Sequence, residues 1–414
     1  MGLVVAILIT AVLTAGLCGL GYFVFIFTRL GLPLPLEWGM ESVKPLMVST
    51  VTYHPRSESH PVASLVKRAS SNNGEDFRVL TFTDLHLASG TKHRPLDNIA
   101  IKYLKRNIED LKPDLIVITG DLVTYLYGRE RAHKLAQLME KYQVWWAPIL
   151  GNHDFERSHP RGEIAEIFRQ YPHCLIDNVE NLTGYSNYAL DLFLERPGDE
   201  GAMEQKLVKR LIFLDSHNYL SKEDADAIGV AWQSEMLYAY IKKDQVEWYE
   251  RTAVEAKNLG VKSLLFYHIP IPEFRDAYRD GQVLYGQALE GVCSSLVQSH
   301  LFDAVLRAGS TEAMFCGHDH INDFIALYKN VLFVYVQYGG YAEYDAWARF
   351  ASLNRRQGCT LVTVSPEPAD TITIQPYLNT RFPDYEEHDL AGHYPHTLGS
   401  SQGNDPIPPI KVEL

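Results

Sequence analysis

Five segments of this chain end an apolar run on residues that bind metals. RVLTFT (78–83) leads into Asp84 and His86, and DLIVIT (114–119) into Gly120-Asp121. VWWAPIL (144–150) leads into Asn152, His153 and Asp154, KSLLFYH (262–268) closes on His268, and EAMFCG (312–317) leads into His318 and His320. A lone histidine or DxH at the end of a strand is usually structural. Five such endings together are not, because polar groups behind buried strands cost free energy unless they share partners. The set mixes carboxylate, amide and imidazole with no thiolate, which suits Mn, Fe, Zn or Mg and argues against a structural zinc site. It is too large for one ion. A bridging carboxylate would let two divalent ions sit ~3.5–4 Å apart, the spacing that clamps the attacking and leaving oxygens of phosphoryl transfer.

These residues need elements to position them. Between the runs lie segments with helical spacing at 96–111, 129–142, 244–258 and 289–300. Further strand candidates are 210–215, 331–336, 359–364 and 371–375. Strands alternating with helices imply α/β architecture, and near-continuous apolar strands imply burial on both faces. Ligands in such folds collect at the carboxyl ends of the strands.

In order, FTDLH, TGD, LGNHD, FYHIP and FCGHDH resemble the blocks of the calcineurin-like metallophosphoesterase superfamily, over roughly 77–375. The resemblance implies a four-layer αββα sandwich of two mixed sheets, with a dinuclear site at the strand carboxyl ends. It implies that Asp84, His86 and His320 hold the first metal, and that Asn152, His268 and His318 hold the second. Asp121 would bridge them, His153 would face the substrate, and Asp154 would orient His153. HIPIPEF (268–274), ALEGV (288–292) and GHDHINDF (317–324) are similar to a eukaryotic branch labelled purple-acid-phosphatase-like. The chain departs from true purple acid phosphatases. Thr124 stands where they carry a tyrosine ligand, with Tyr125 one place off, and His86 stands where they carry glycine. A colourless DxH-type enzyme is expected.

The implied activity is metal-dependent hydrolysis of phosphomonoesters, phosphoproteins among them, by a hydroxide bridging the two ions. A phosphodiesterase on the same site is the alternative, followed by a non-catalytic binding protein on the same scaffold. Trp248, Tyr338 and Tyr341 are candidate cleft walls, and His217 a candidate lining residue whose structural reading is preferred. Arg94, Arg349, Arg355 and Arg356 are candidate phosphate contacts. Asp319 and Asp323 are read as turn residues, or as acidic partners that orient the ligating histidines.

The chain has 414 residues, 46% of them hydrophobic, and a formal net charge of -13. No broad basic surface, and hence no nucleic-acid partner, is expected. Residues 1–30 read as a signal anchor: Gly2 to Thr28 carries no charge, and as a helix it would exceed the ~30 Å hydrocarbon core. Residues 31–75 read as a linker with some extended structure, 76–378 as the catalytic domain, and 379–414 as a disordered tail. The single-pass anchor places the protein in the ER or secretory pathway. Arg29, just after the anchor, leans towards a cytosolic body. The sequon Asn181-Leu182-Thr183 and the terminal Lys411-Val412-Glu413-Leu414 lean towards the lumenal side, which is preferred. Five cysteines show no metal-ribbon spacing and imply no disulfide; Cys316 reads as a small buried hydrophobe.

Overall fold

The structure is a computed structural model that describes residues 38–46, 51–68, 76–88, 94–124, 128–155, 162–179, 181–197, 202–232, 237–341, 356–365, 371–383 and 409–412. The segment read as a membrane anchor lies outside these residues. Among the described residues no helix is long and apolar enough to cross a membrane.

Two mixed sheets organise the chain. In the smaller, β3 (Phe77–Phe82), β4 (Leu115–Thr119) and β5 (Trp145–Ile149) run parallel. β13 (Gly358–Val364), β14 (Ile372–Leu378) and β15 (Ile410–Val412) extend it antiparallel, in the order β15-β14-β13-β3-β4-β5. The larger sheet has a parallel centre of β7 (Met203–Phe213), β8 (Ser263–Phe266), β10 (Thr311–Cys316) and β12 (Val331–Tyr335). β11 (Ile325–Tyr328) and β9 (Gln282–Tyr285) flank it on one side. β6 (Tyr188–Pro197), β2 (Ala63–Arg68) and β1 (Val51–His54) flank it on the other.

The central strands β4, β8, β10 and β12 are buried along their whole length, as apolar strands covered on both faces must be. One contiguous cluster of buried side chains includes residues of both sheets, among them Leu80, Phe82, Ile116, Phe266 and Phe315. Helices α1 (Arg94–Leu111), α2 (Gly128–Tyr142) and α3 (Glu163–Arg169) follow strands of the smaller sheet, and α1 packs on β13. The short α4 (Lys222–Ala227) follows β7. Helices α5 (Lys243–Asn258), α6 (Glu273–Asp280) and α7 (Leu301–Ala308) belong to the larger sheet, α5 against β7 and α6 against β9 and β11.

One reading needs correction, and two other segments carry strands that the reading did not place. The segment read as linker contains β1 and β2, and β2 is fixed by chemistry distant in sequence. Lys67, 3% exposed, pairs with Asp114 at 2.8 Å, and Arg68 with Glu195 at 2.9 Å. Within the stretch read as tail, residues 410–412 pair with β14. The helix expected over 289–300 does not form. Its backbone is taken by side chains instead: Asn322 Oδ1 accepts the N–H groups of Leu289 (2.9 Å) and Glu290 (3.0 Å), and the Asp319 carboxylate accepts that of Cys293 (3.1 Å). The helix begins only at Leu301. Cys316 is fully buried, and the four described cysteines carry free thiols.

Candidate metal centre

The ligand-bearing residues follow the carboxyl ends of β3, β4, β5, β8 and β10, and backbone hydrogen bonds join neighbouring ends within each sheet. Asp84 N donates to Gly120 O (3.0 Å), His86 N to Asp121 O (2.9 Å), and Gly317 N to His268 O (3.1 Å). Gly339 N, beyond β12, donates to Thr83 O (2.9 Å). The turns are sharp. Asp84, His86, Asp121 and His318 all have positive φ, at 54°, 44°, 50° and 77°. Side chains rarely take this conformation outside sites where the surroundings impose it. Two glycines make the close approach possible. A Cβ on Gly120, whose φ is +98°, would come within 2.5 Å of the His268 ring, and one on Gly151 would collide with Asp121 Oδ1.

Side chains from separate strands converge as two groups, Asp84–His86–His320 and Asp121–His268–His318. In each, one donor atom per residue lies within 4.8 Å of the others. In the first group His86 Nε2 and His320 Nε2 are 3.0 Å apart, at 3.6 Å and 3.4 Å from Asp84 Oδ1. Asp121 Oδ2 lies 3.0 Å from His268 Nε2 and 3.5 Å from His86 Nε2, so it faces both groups. Asn152 Oδ1 joins the second group, 3.1 Å from His268 Nε2. The Thr119 carbonyl can only accept, so the 2.8 Å contact from His268 Nδ1 places a proton there and aims Nε2 at the cluster. The other oxygens of the two aspartates are held in place: Asp84 Oδ2 accepts from Thr83 Oγ1 (2.6 Å) and His318 N (2.9 Å), and Asp121 Oδ1 from His153 N (2.8 Å).

The electrostatics call for cations. Burial raises the Asp84 and Asp121 carboxyls, but neighbouring histidines, His268 first, reverse this and hold both well below the usual range. Burial pushes His268 down, yet the Asp121 and Asp84 carboxylates outweigh it and hold it up at about 10. Burial, with the charge on His268, holds His318 neutral at about 3. Asp84 Oδ1, Asp121 Oδ2 and His318 Nε2 are buried without a geometrically sound hydrogen bond. Native structures rarely leave such atoms unsatisfied. Two carboxylates, one amide and four imidazoles, with three such atoms facing inward, fit a pair of divalent cations.

The other residues singled out in the sequence fall into two classes. His153 stands beside the groups, its ring 5.1 Å from that of His86. The Asp154 oxygens accept the N–H groups of Gly151 (2.8 Å) and Val123 (3.0 Å), fastening one strand-end loop to another. Burial, then the charge on Asp121, pushes the Asp154 carboxyl up to about 8. Tyr338 stacks on His320, with centroids 4.4 Å apart and planes 3° apart. His217 Nε2 instead meets Gln245 Oε1 at 2.8 Å, and Tyr341 stacks on Tyr103. Trp248 lines a separate cleft with Tyr53 and Tyr188. Arg356 pairs with Asp323, whose Oδ1 accepts the Gln287 N–H. Arg349 and Arg355 lie outside the described residues. Asp319 accepts from Tyr335 Oη (2.6 Å) and from Cys293 N. Burial pushes its carboxyl up to about 6.

Sequence reasoning missed Tyr219 and Tyr238. Tyr238 meets the His318 ring edge-on at 4.4 Å, and Tyr219 Oη lies 3.5 Å from Asn152 Nδ2. They reach the site through an isolated antiparallel bridge between residues far apart in the chain, which leaves no periodic signal.

A model of the calcineurin-like phosphoesterase family matches residues 77–322. An Arabidopsis thaliana protein named probable inactive purple acid phosphatase 28 is 28% identical over 306 residues, covering 66% of this chain and 72% of its own length. The Saccharomyces cerevisiae phosphatase DCR2 is 27% identical over 295 residues, covering 64% of this chain and 48% of its own. Among solved structures, a dimetal phosphatase from Danio rerio aligns with a TM-score of 0.45 at 13% identity, over 72% of this chain and 95% of that one.

Proposed function

This chain belongs to the calcineurin-like phosphoesterase family, hydrolases of phosphoric esters, and on that footing we propose that it is a phosphomonoesterase, phosphoproteins among its substrates. The observation that carries the proposal is the pair of three-ligand groups with Asp121 facing both. Asp84, His86 and His320 would hold one ion, and Asn152, His268 and His318 the other, with Asp121 as the shared ligand. Two divalent ions, Mn, Fe, Zn or Mg, would neutralise phosphate oxygens and acidify a water molecule. The chain's own residues do the rest. Thr83 and the His318 N–H lock the Asp84 carboxylate. The Thr119 carbonyl fixes the tautomer of His268. His153, beside the first group, would stabilise charge on the phosphoryl group or protonate the leaving oxygen. Asp154 would hold the loop that carries His153.

The Arabidopsis relative is named as probably inactive, and the contrary reading for this chain is a non-catalytic binding protein on the same scaffold. Loss of hydrolysis on such a scaffold would be expected to show as lost ligands, and here all seven positions retain a ligand side chain. The test is turnover of mono- and diesters by the purified full chain with added Mn, Zn or Mg, alongside its metal content. Two metals per chain and monoester hydrolysis are expected. Metal-loaded protein inert towards both ester types would establish the non-catalytic reading, and preference for diesters would establish the phosphodiesterase.

The four-layer sandwich order and the single-pass N-terminal anchor, with the body facing the ER or secretory lumen, belong to the same proposal. The sequence of residues 1–30 supports the anchor. Asn181 of the sequon is exposed at a positive-φ turn, which leaves its side chain accessible to modification. An unchanged gel mobility after glycosidase treatment of the full chain would count against the lumenal side.

A further inference from the structure

Between β7 and α5 the chain makes an excursion that carries α4 and closes on itself directly over the second ligand group. Ala239 N donates to Asn218 O (3.1 Å) and Leu220 N to Leu237 O (2.7 Å), pairing Tyr219 with Tyr238 in an isolated antiparallel bridge. The excursion is tied to its base. Trp232 Nε1 donates to Leu220 O (3.0 Å), and Lys242 Nζ (2.8 Å) and Tyr240 Oη (3.1 Å) reach Asp224. The two tyrosine rings stack at 6.0 Å and 24°. Tyr238 abuts His318, Tyr219 Oη approaches Asn152, and both tyrosines are half-buried. At the first ligand group Tyr338 lies flat on His320. Aromatic rings therefore adjoin a histidine of each ligand group. The charged contacts of Asp84 and Asp121 come from histidines.

We infer that the Tyr219–Tyr238 pair is a specificity wall that selects phosphoesters with an aromatic leaving group. This rests on the phosphomonoesterase reading. A stacked, backbone-pinned pair presents a planar apolar surface with little rotamer freedom to lose, and an aryl group placed against it gains offset or edge-to-face contact. An alkyl or glyceryl group offers no such face. The competing explanation is that Tyr238 only supports the His318 ring. In that case its loss affects every substrate alike.

The experiment uses the full chain with Mn²⁺. It measures Kd for phenylphosphonate and methylphosphonate by calorimetry, and kcat/KM for phenyl phosphate and glycerol 2-phosphate. Wild type should prefer the phenyl member of each pair. Tyr238→Leu should lower both preference ratios about tenfold, the size of one aromatic contact, and Tyr238→Phe should keep them. Tyr219→Leu is the second variant should Tyr238→Leu not fold. Ratios unmoved in the leucine variant, or equal weakening of both phosphonates, overturn the inference. Equal loss in Tyr238→Phe also overturns it, because the hydroxyl would then be the functional group. A wild-type chain that binds neither phosphonate and hydrolyses neither ester with any metal sinks the phosphomonoesterase reading, and this inference with it.

Discussion

His268 Nε2 lies 3.0 Å from Asp121 Oδ2, while its Nδ1 is fixed on the Thr119 carbonyl at 2.8 Å. The imidazole thus joins the two sheets, since Thr119 ends β4 and His268 follows β8. It points one nitrogen at the carboxylate that faces both ligand groups.

Asp121→Asn removes the charge from that shared position and keeps the shape. The hydrogen bond from His153 N to Oδ1 can survive on the amide oxygen. The variant should fold, bind at most one ion, and lose about 10³-fold or more in turnover, because two-ion stabilisation contributes several kcal/mol. Metal analysis and kcat check this. Near-full turnover with two bound ions would falsify the ligand assignment.

Without metal, stability should depend on pH in a defined window. His268 is raised to about 10 in the folded chain against ~6.5 unfolded. Its contribution is complete below ~6.5 and fades as pH rises through about 10. Asp84 and Asp121 are depressed when folded. Their contribution is present above ~4 and is lost as pH falls further. Chelator-treated protein should therefore lose stability as pH rises above about 6.5, by up to ~1.4 kcal/mol per pH unit per proton, and the buried Asp154 carboxyl, raised to about 8, acts in the same direction. Added Mn²⁺ should flatten the alkaline limb, because bound cations replace the proton on His268. Denaturant midpoints across pH, with and without metal, decide this; identical profiles would contradict it.

The side chains that the structure brings together as candidate ligands were legible because each sits within a few residues of a strand end, so a local pattern of apolar run then polar pair reports it. What was hidden is non-local. β2 ends on two adjacent charges, which suit a buried strand only once Lys67 finds Asp114 and Arg68 finds Glu195. The segment 289–300 has helical spacing, but Asn322 and Asp319 claim its N–H groups from across the fold. Asp319, read as a turn or orienting residue between two ligands, is a strut to Tyr335 and Cys293. The Tyr219–Tyr238 wall likewise exists only through a bridge that closes after an excursion from the sheet.

Gly151→Ala tests whether close approach matters without replacing a ligand. The added methyl would collide with Asp121 Oδ1, which also receives the His153 N–H. Relieving the clash must move the loop carrying Asn152 and His153 or tilt Asp121. A cost of about 1–3 kcal/mol, typical of overpacking, should appear in denaturant unfolding. Metal affinity should fall further than stability alone explains. Unchanged metal binding would mean that the loop can yield freely.

Asn322→Ala tests the clamp over 287–293. Asn322 Oδ1 accepts two consecutive N–H groups, and Asp323 and Asp319 hold the segment on either side. Losing one of three anchors leaves the ligands in place but frees Leu289 and Glu290, at a stability cost of about 1–2 kcal/mol for the two hydrogen bonds. The loop should exchange its amide hydrogens faster and be cut sooner by protease, while metal content stays at the wild-type level. The segment starts beside Asp323 and returns to Asp319, between the candidate ligands His318 and His320. A mobile segment there should raise KM more than it lowers kcat. A fall in kcat with KM unchanged would place the effect on the histidines instead, and protease sensitivity equal to wild type would show that Asp319 and Asp323 suffice to hold the loop.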